Sequence, residues 1–177
     1  MNLRPFNPEF ILQSIPELLP FLEVTLFVGI SSIILGSLFG MVLTQAKLSK
    51  HRALRWLANG YTYIMRCTPS IVLLFIVFYG LPRVFEELFD YSLEDYDRSF
   101  FAIVTFVLLF GAYVSEVFRS AYLAVPKGQM EAAVSIGLTP FQAVLRVMLP
   151  QAAVIAIPNF GNSVIGLLKE GALAYTI

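Results

Sequence analysis

The sequence predicts an all-α protein that threads a membrane several times, and three observations carry the prediction. Its 177 residues are 58% hydrophobic and only 14% charged, with a mean hydropathy of +0.76, well outside the range of soluble domains. The apolar residues gather into four runs of near-spanning length. The charges collect between those runs, basic in one loop and acidic in the next. Since 12 Lys and Arg balance 12 Asp and Glu, only the placement of charge is informative, and no nucleic-acid partner is expected.

A helix crossing the hydrocarbon core needs about 20 mainly apolar residues. The first run, residues 18–43, has Glu23 near one end and carries Gly29, Ser32, Gly36 and Gly40 near helical spacing. Gly36 and Gly40 form a GxxxG, whose expected use is close helix packing within the subunit. The second run, residues 57–81, contains Arg66, Thr68 and Pro69 and is expected to be broken or kinked. The third, residues 100–117, ends near Glu116, three residues before Arg119, a spacing that lets the two pair. The fourth covers residues 152–168.

Basic residues are retained on the cytoplasmic side while acids have little influence. The loop over residues 45–56 holds Lys47, Lys50, Arg52 and Arg55 without an acid and is expected to be cytoplasmic. The loop over residues 82–99 sets Arg83 and Arg98 against Glu86, Glu87, Asp90, Glu94, Asp95 and Asp97, and is expected outside. Alternation then puts the N-terminus outside and residues 127–150 inside, where Arg119, Lys127 and Arg146 agree. The opening MNLRPFNPEF lacks the order of a cleavable signal, so the first span is expected to do the targeting. A single cysteine, Cys67, excludes an internal disulfide and a cysteine-built metal site, and is read as a small space-filler. The single histidine, His51, reads as solvated and Trp56 as an interfacial anchor. No metal or cofactor is expected.

The segment EAAVSIGLTPFQAVLRVMLPQA, residues 131–152, is too briefly apolar to span. Gly137 is suited to end one short helix, Thr139 to cap the next, and Pro140 to occupy its first position. The outcome is a helix-turn-helix on the cytoplasmic face, either a plain interfacial connector or a functional surface.

Its pattern resembles a known signature. Glu131, Ala132 and Ala133, then three residues, Gly137, nine residues, and Val147, Met148, Leu149 and Pro150 look like the EAA motif of ABC importer permeases, with Val147 in place of isoleucine. Arg66 to Pro82, RCTPSIVLLFIVFYGLP, is similar to the RGTP to FGLP block of the polar amino-acid uptake permeases, with Cys67 replacing glycine. Residues 112–133, AYVSEVFRSAYLAVPKGQMEAA, resemble their AYxAExxRGGIxAVxxGQxEAA, with Ser115, Ser120 and Ala121 as departures. The C-terminal LPQAAVIAIPNFGNSVIGLLKEGALAYTI resembles their last block, with Glu170, Gly171 and Ala172 departing. Members usually continue through a fifth span, whereas four are read here, ending at Ile177.

The resemblance implies the transmembrane domain of a type I ABC importer in the bacterial cytoplasmic membrane, working as a dimer with a second copy or a related permease. It further implies a cytoplasmic ATP-hydrolysing subunit and an extracytoplasmic binding protein. Glu131, Ala132, Ala133, Gly137, Leu149 and Pro150 would dock on the ATPase, Glu131 lending charge, the alanines allowing close approach and Gly137 the tight turn. This chain lacks the GxxxxGK-Ser/Thr phosphate loop, so it is not expected to hydrolyse ATP itself.

For substrate, Arg66 is expected inside a span beside the helix-breaking Thr68–Pro69, where a guanidinium binds a carboxylate through two parallel hydrogen bonds. The bland alternative is that Arg66 snorkels to the interface. Asn159, Asn162, Ser163 and Glu170 share one helical face of the fourth run with Gly166, lining a pathway or bonding to neighbouring helices. This stripe, not doubly acidic, suggests a polar neutral or sulfur-containing amino acid. An ion-gradient transporter would use the same residues but has no need of the coupling pattern. An enzyme lacks ingredients, since no Ser-His pair, HExxH or clustered carboxylates lie in the spans.

Overall fold

The computed structural model describes residues 8–93 and 95–176. The opening seven residues, Glu94 of the acidic loop and Ile177 lie outside them. Helix α1 (Pro8–Leu48) is followed by α2 (Arg52–Cys67), α3 (Ser70–Phe75), a π-helical turn (Ile76–Gly80), α4 (Leu81–Phe89), α5 (Arg98–Ala124), α6 (Lys127–Ser135), α7 (Pro140–Ala143), a second π-helical turn (Val144–Met148), α8 (Leu149–Glu170) and a 3-10 segment (Gly171–Thr176). Among the described residues three stretches are long and apolar enough to cross a membrane, Leu19–Leu48, Arg98–Ala124 and Pro140–Ala174.

The second sequence-predicted span is not one rod. It runs as Arg52–Cys67 and then Ser70–Phe89, bent by 107°, and the break falls where Pro69 pushes Thr68 into extended backbone at φ −88°, ψ 126°. Residues 82–89, read as loop from their charge, belong instead to α4, which ends at Asp90 in the left-handed region. Asp97 caps α5 by accepting from the Ser99 amide at 2.8 Å. The Ser99 hydroxyl and then its backbone N–H hold the Asp97 carboxyl below its ordinary range.

Both π-helical turns stand immediately before a Leu-Pro pair, Leu81–Pro82 and Leu149–Pro150. A proline inside a helix offers no N–H and its ring clashes with the carbonyl four residues back. Widening the preceding turn relieves the clash, and the Leu149 amide reaches five residues back to Val144. Hence the helix does not stop at Pro150, between the segment read over residues 127–150 and the span read over residues 152–168. Helix runs unbroken from Pro140 into α8.

Helix α5 is the centre of the bundle, packed along α1 on one side and α8 on the other. Its Phe101, Phe106, Leu109, Phe110 and Val114 are buried with Val28 of α1, Leu74 of α3 and Leu167 of α8. Apolar burial gains little where lipid is the alternative, so close backbone approach must hold the helices. Small residues supply it: a Cβ on Gly40 would stand 3.1 Å from the Gly111 carbonyl oxygen, and one on Gly111 would stand 2.6 Å from Phe39 Cδ1. The GxxxG of α1 is thus used inside the subunit, against Gly111 of α5.

Candidate functional site

Two regions carry chemistry. The first is a cleft of about 530 Å³ between α2 and α5, lined by Asn59, Thr62, Tyr63, Arg66 and Cys67 from α2 and by Tyr113 and Glu116 from α5. That volume suits a small ligand. Helix α2 is anchored over α5 by the Tyr61 hydroxyl, which donates to the Leu108 carbonyl at 2.9 Å, and by the Tyr61 ring set edge-on to Phe39 at 5.6 Å. Arg66 is exposed to the cleft, with its guanidinium carbon 5.5 Å above the Tyr113 ring centroid, a cation–π contact worth roughly 0.5–2 kcal/mol. Among the described residues no carboxylate lies within ion-pair distance of it.

Glu116, by contrast, is saturated. Its Oε1 accepts from Lys47 Nζ at 2.7 Å, and its Oε2 accepts from Arg119 Nε at 3.0 Å and pairs with Arg119 Nη2 at 2.9 Å. The Lys47 side chain is fully buried, and its ammonium also donates to the Ser115 hydroxyl at 2.7 Å. Thr44, one turn earlier, donates to the Ser115 carbonyl at 3.1 Å. The sequence reading placed Lys47 in the solvated basic loop. It lies instead in the last turn of α1, where its charge is matched from α5. Its spacing from Gly36, Gly40 and Thr44 continues the buried face of α1 and was the available signal. Ser115, noted only as a departure from a family alanine, supplies the second acceptor this lysine needs.

Removing one partner of a buried ion pair leaves a charge uncompensated, at a cost of about 3–5 kcal/mol. Glu116→Ala is therefore expected to lower the thermal unfolding midpoint of the detergent-purified protein sharply. Lys47→Met with Glu116→Leu should recover most of the loss, because the paired charges themselves contribute little net stability. A double variant no more stable than Glu116→Ala would refute this account.

The other sequence-predicted substrate residues are not brought to the cleft. Thr68 turns its hydroxyl back to the Ile64 carbonyl at 2.8 Å, and Ser163 to the Asn159 carbonyl at 2.9 Å. Asn159 and Asn162 are exposed on α8, while Ser163 and Glu170 are partly covered; none of the four lines the space around Arg66. Pro158 is carried within an unbroken α8.

The second region is the α6–α7 turn. Helix α6 ends in a Schellman motif: the Gly137 amide donates to Val134 at 3.0 Å and the Leu138 amide to Ala133 at 3.2 Å. Gly137 adopts φ +94°, a conformation L side chains rarely accept. Thr139 then starts α7 with a reciprocal capping box to Gln142, and Pro140 follows in the first turn. Behind the turn, Val125, Met148 and Ala152 pack with Tyr122 and Met130, and Gln151 Nε2 donates to Gln129 Oε1 at 3.2 Å. The turn is thereby tied to the end of α5 and the start of the last span at once.

Glu131, Ala132, Gly137, Leu149 and Pro150 are exposed. Ala133 is not: at 4% exposure it packs inside the chain, so its smallness serves α6 and not close approach by a partner. Two residues absent from the sequence-predicted docking set stand out from the turn, Ile136 at 82% and Phe141 at 73% exposure. Both immediately flank the Gly-Leu-Thr-Pro turn, a position that marks them once the turn itself is recognised.

Helices long and apolar enough to span a membrane and a solute-sized cleft between them are what the membrane-embedded subunit of a transport system requires. Residues 11–177 match the family of binding-protein-dependent transport system inner membrane components, and the chain belongs to that family. It is 39% identical to the probable amino-acid permease protein YxeN of Bacillus subtilis, over 96% of this chain and 73% of that one. It is 38% identical to the L-cystine transport system permease protein TcyL of the same organism, over 98% and 72%. The histidine/lysine/arginine/ornithine transport system permease protein HisQ of Salmonella typhimurium is 39% identical over 85% and 67%. A crystal structure of an amino acid ABC transporter with histidines superposes with a TM-score of 0.81 at 26% identity, covering 98% of this chain and 77% of that chain.

Proposed function

We propose that this chain is the transmembrane permease of an ATP-driven amino-acid importer, with residues 127–150 as its coupling element and the Arg66 cleft as a station for the substrate carboxylate. The observation that carries the reading is the union of the two in one bundle: a cleft whose guanidinium has no carboxylate partner among the described residues, and a capped turn continuous with the last span. In this reading a cytoplasmic ATPase subunit receives Ile136, Phe141, Glu131 and Ala132. A second permease, identical or related, completes the membrane part, and an extracytoplasmic binding protein delivers the amino acid. ATP-driven closure of the ATPase pair pulls the turn, the α7–α8 rod follows, and the cleft alternates between the two sides of the membrane. The basic loop after α1 supports a cytoplasmic placement of the turn, and with it an N-terminus on the outer side. The substrate is a polar neutral or sulfur-containing amino acid, and Thr68, Asn159, Asn162, Ser163 and Glu170 border its path elsewhere along the bundle.

Reconstitution of this permease with its ATPase and binding protein in proteoliposomes tests the reading, with labelled L-cystine and L-glutamine as probes. Uptake is expected to require ATP and all subunits. Uptake driven by a sodium or proton gradient without the ATPase would overturn it in favour of a secondary transporter.

A further inference from the structure

Glu116 raises a problem for any anion-binding role of the cleft. It is the sole carboxylate among the lining residues, and Arg66 is the sole guanidinium. Tyr113, on which Arg66 rests, lies one helical turn before Glu116 on the same face of α5. An uncompensated carboxylate there would oppose the field of Arg66 or draw the guanidinium onto itself, since the two side chains line the same cleft from facing helices. The structure shows how this is avoided. Lys47 reaches Glu116 from the buried face of α1, 69 residues away in sequence, at 2.7 Å, and Arg119 takes the other oxygen at 2.9 Å.

We propose that Lys47, acting with Arg119, neutralises Glu116 so that the α2–α5 cleft stays receptive to an anionic group at Arg66. Lys47 is a positioning residue here, because it acts through Glu116 and its buried ammonium does not line the cleft. The two cations against one carboxylate leave the neighbourhood of Glu116 net positive, and Arg66 adds to that charge. A ligand carboxylate is therefore favoured at this position and a cationic group is disfavoured. The inference rests on the reading of the cleft as a carboxylate station, but concerns its charge and is testable without transport.

The chain carries its own reporter. Cys67, its single cysteine, is exposed and lines the same cleft. In proteoliposomes containing the assembled importer, its modification is followed as mass gained by this chain, using a methanethiosulfonate bearing a sulfonate and one bearing a trimethylammonium. Relative to the ratio of the two reagents' rates with a free thiol in solution, the anionic reagent is expected to be favoured at Cys67 by on the order of tenfold per net positive charge within the cleft. Lys47→Met should lower that preference several-fold, because Arg119 alone then balances Glu116 and only the charge of Arg66 is left over, and Lys47→Met with Glu116→Gln should restore it, since the second change deletes the carboxylate. A purely structural role for Lys47 would alter both reagents' rates, or the amount of folded protein, without moving their ratio. A ratio unchanged in Lys47→Met, unrestored in the double variant, or a Cys67 inert to both reagents would overturn the proposal. Loss of the transport role of Arg66 alone, with the ratios as expected, would overturn the substrate reading and leave the neutralisation standing.

Discussion

Arg66→Ala is expected to abolish amino-acid uptake by the assembled importer while leaving ATPase association and membrane insertion intact. Arg66 forms no ion pair among the described residues, so its loss removes only the contact with the Tyr113 ring from the folded chain. What disappears is the planar donor fork that a carboxylate accepts bidentately. Truncating one member of a desolvated, hydrogen-bonded charge pair costs about 2–5 kcal/mol, or roughly 30-fold to several thousand-fold in affinity at 1.4 kcal/mol per decade. Arg66→Lys keeps the charge but loses the fork, and should fall between the two. Uptake kinetics for L-cystine and L-glutamine, measured beside co-purification of the ATPase, decide the matter. Normal apparent affinity in the alanine variant would remove Arg66 from the substrate path.

Local chemistry was legible in the sequence wherever one residue dictates the backbone around it. Pro69 breaks the helix, Gly137 takes the positive φ, Thr139 caps α7, and Gly36 with Gly40 admits a neighbouring helix. Each effect acts within a few residues and needs no knowledge of the rest of the chain. Partnership across the bundle was not legible. Lys47 belongs to the spanning helix only because Glu116 meets it, and hydropathy alone assigns such a residue to a loop. Likewise Asn159, Asn162 and Ser163 share a face of α8 with no indication of where that face points relative to Arg66. The Leu-Pro pair at residues 149–150 reads as a boundary, because a proline usually ends a helix. A π-helical turn accommodates it and keeps the rod continuous, which strengthens the mechanical link the motif suggests.

The coupling turn makes the second large prediction. Glu131→Lys and Gly137→Asp are each expected to lower recovery of the ATPase with the permease by about tenfold or more and to uncouple hydrolysis from uptake, with insertion preserved. For Gly137 the reason is conformational and not a clash. A Cβ meets nothing within 4 Å, but φ +94° is poorly tolerated by a side chain, at about 1–2 kcal/mol, so the turn reorients and carries Ile136 and Phe141 with it. For Glu131 the change reverses a charge on an exposed face, and a like-charge juxtaposition at a docking surface costs several kcal/mol. The paired alanines separate docking from folding. Ala132→Leu adds bulk on the exposed side and should block the ATPase without lowering thermal stability. Ala133→Leu forces a side chain into a position 4% exposed, and should destabilise the α6 elbow by about 1–3 kcal/mol. Ile136→Ala and Phe141→Ala remove the most prominent apolar groups flanking the turn, and truncation of such anchors typically costs over 1 kcal/mol of binding. Unchanged coupling in Glu131→Lys, Gly137→Asp and Phe141→Ala together would show that the turn is a connector, and that ATPase contact lies elsewhere on the chain.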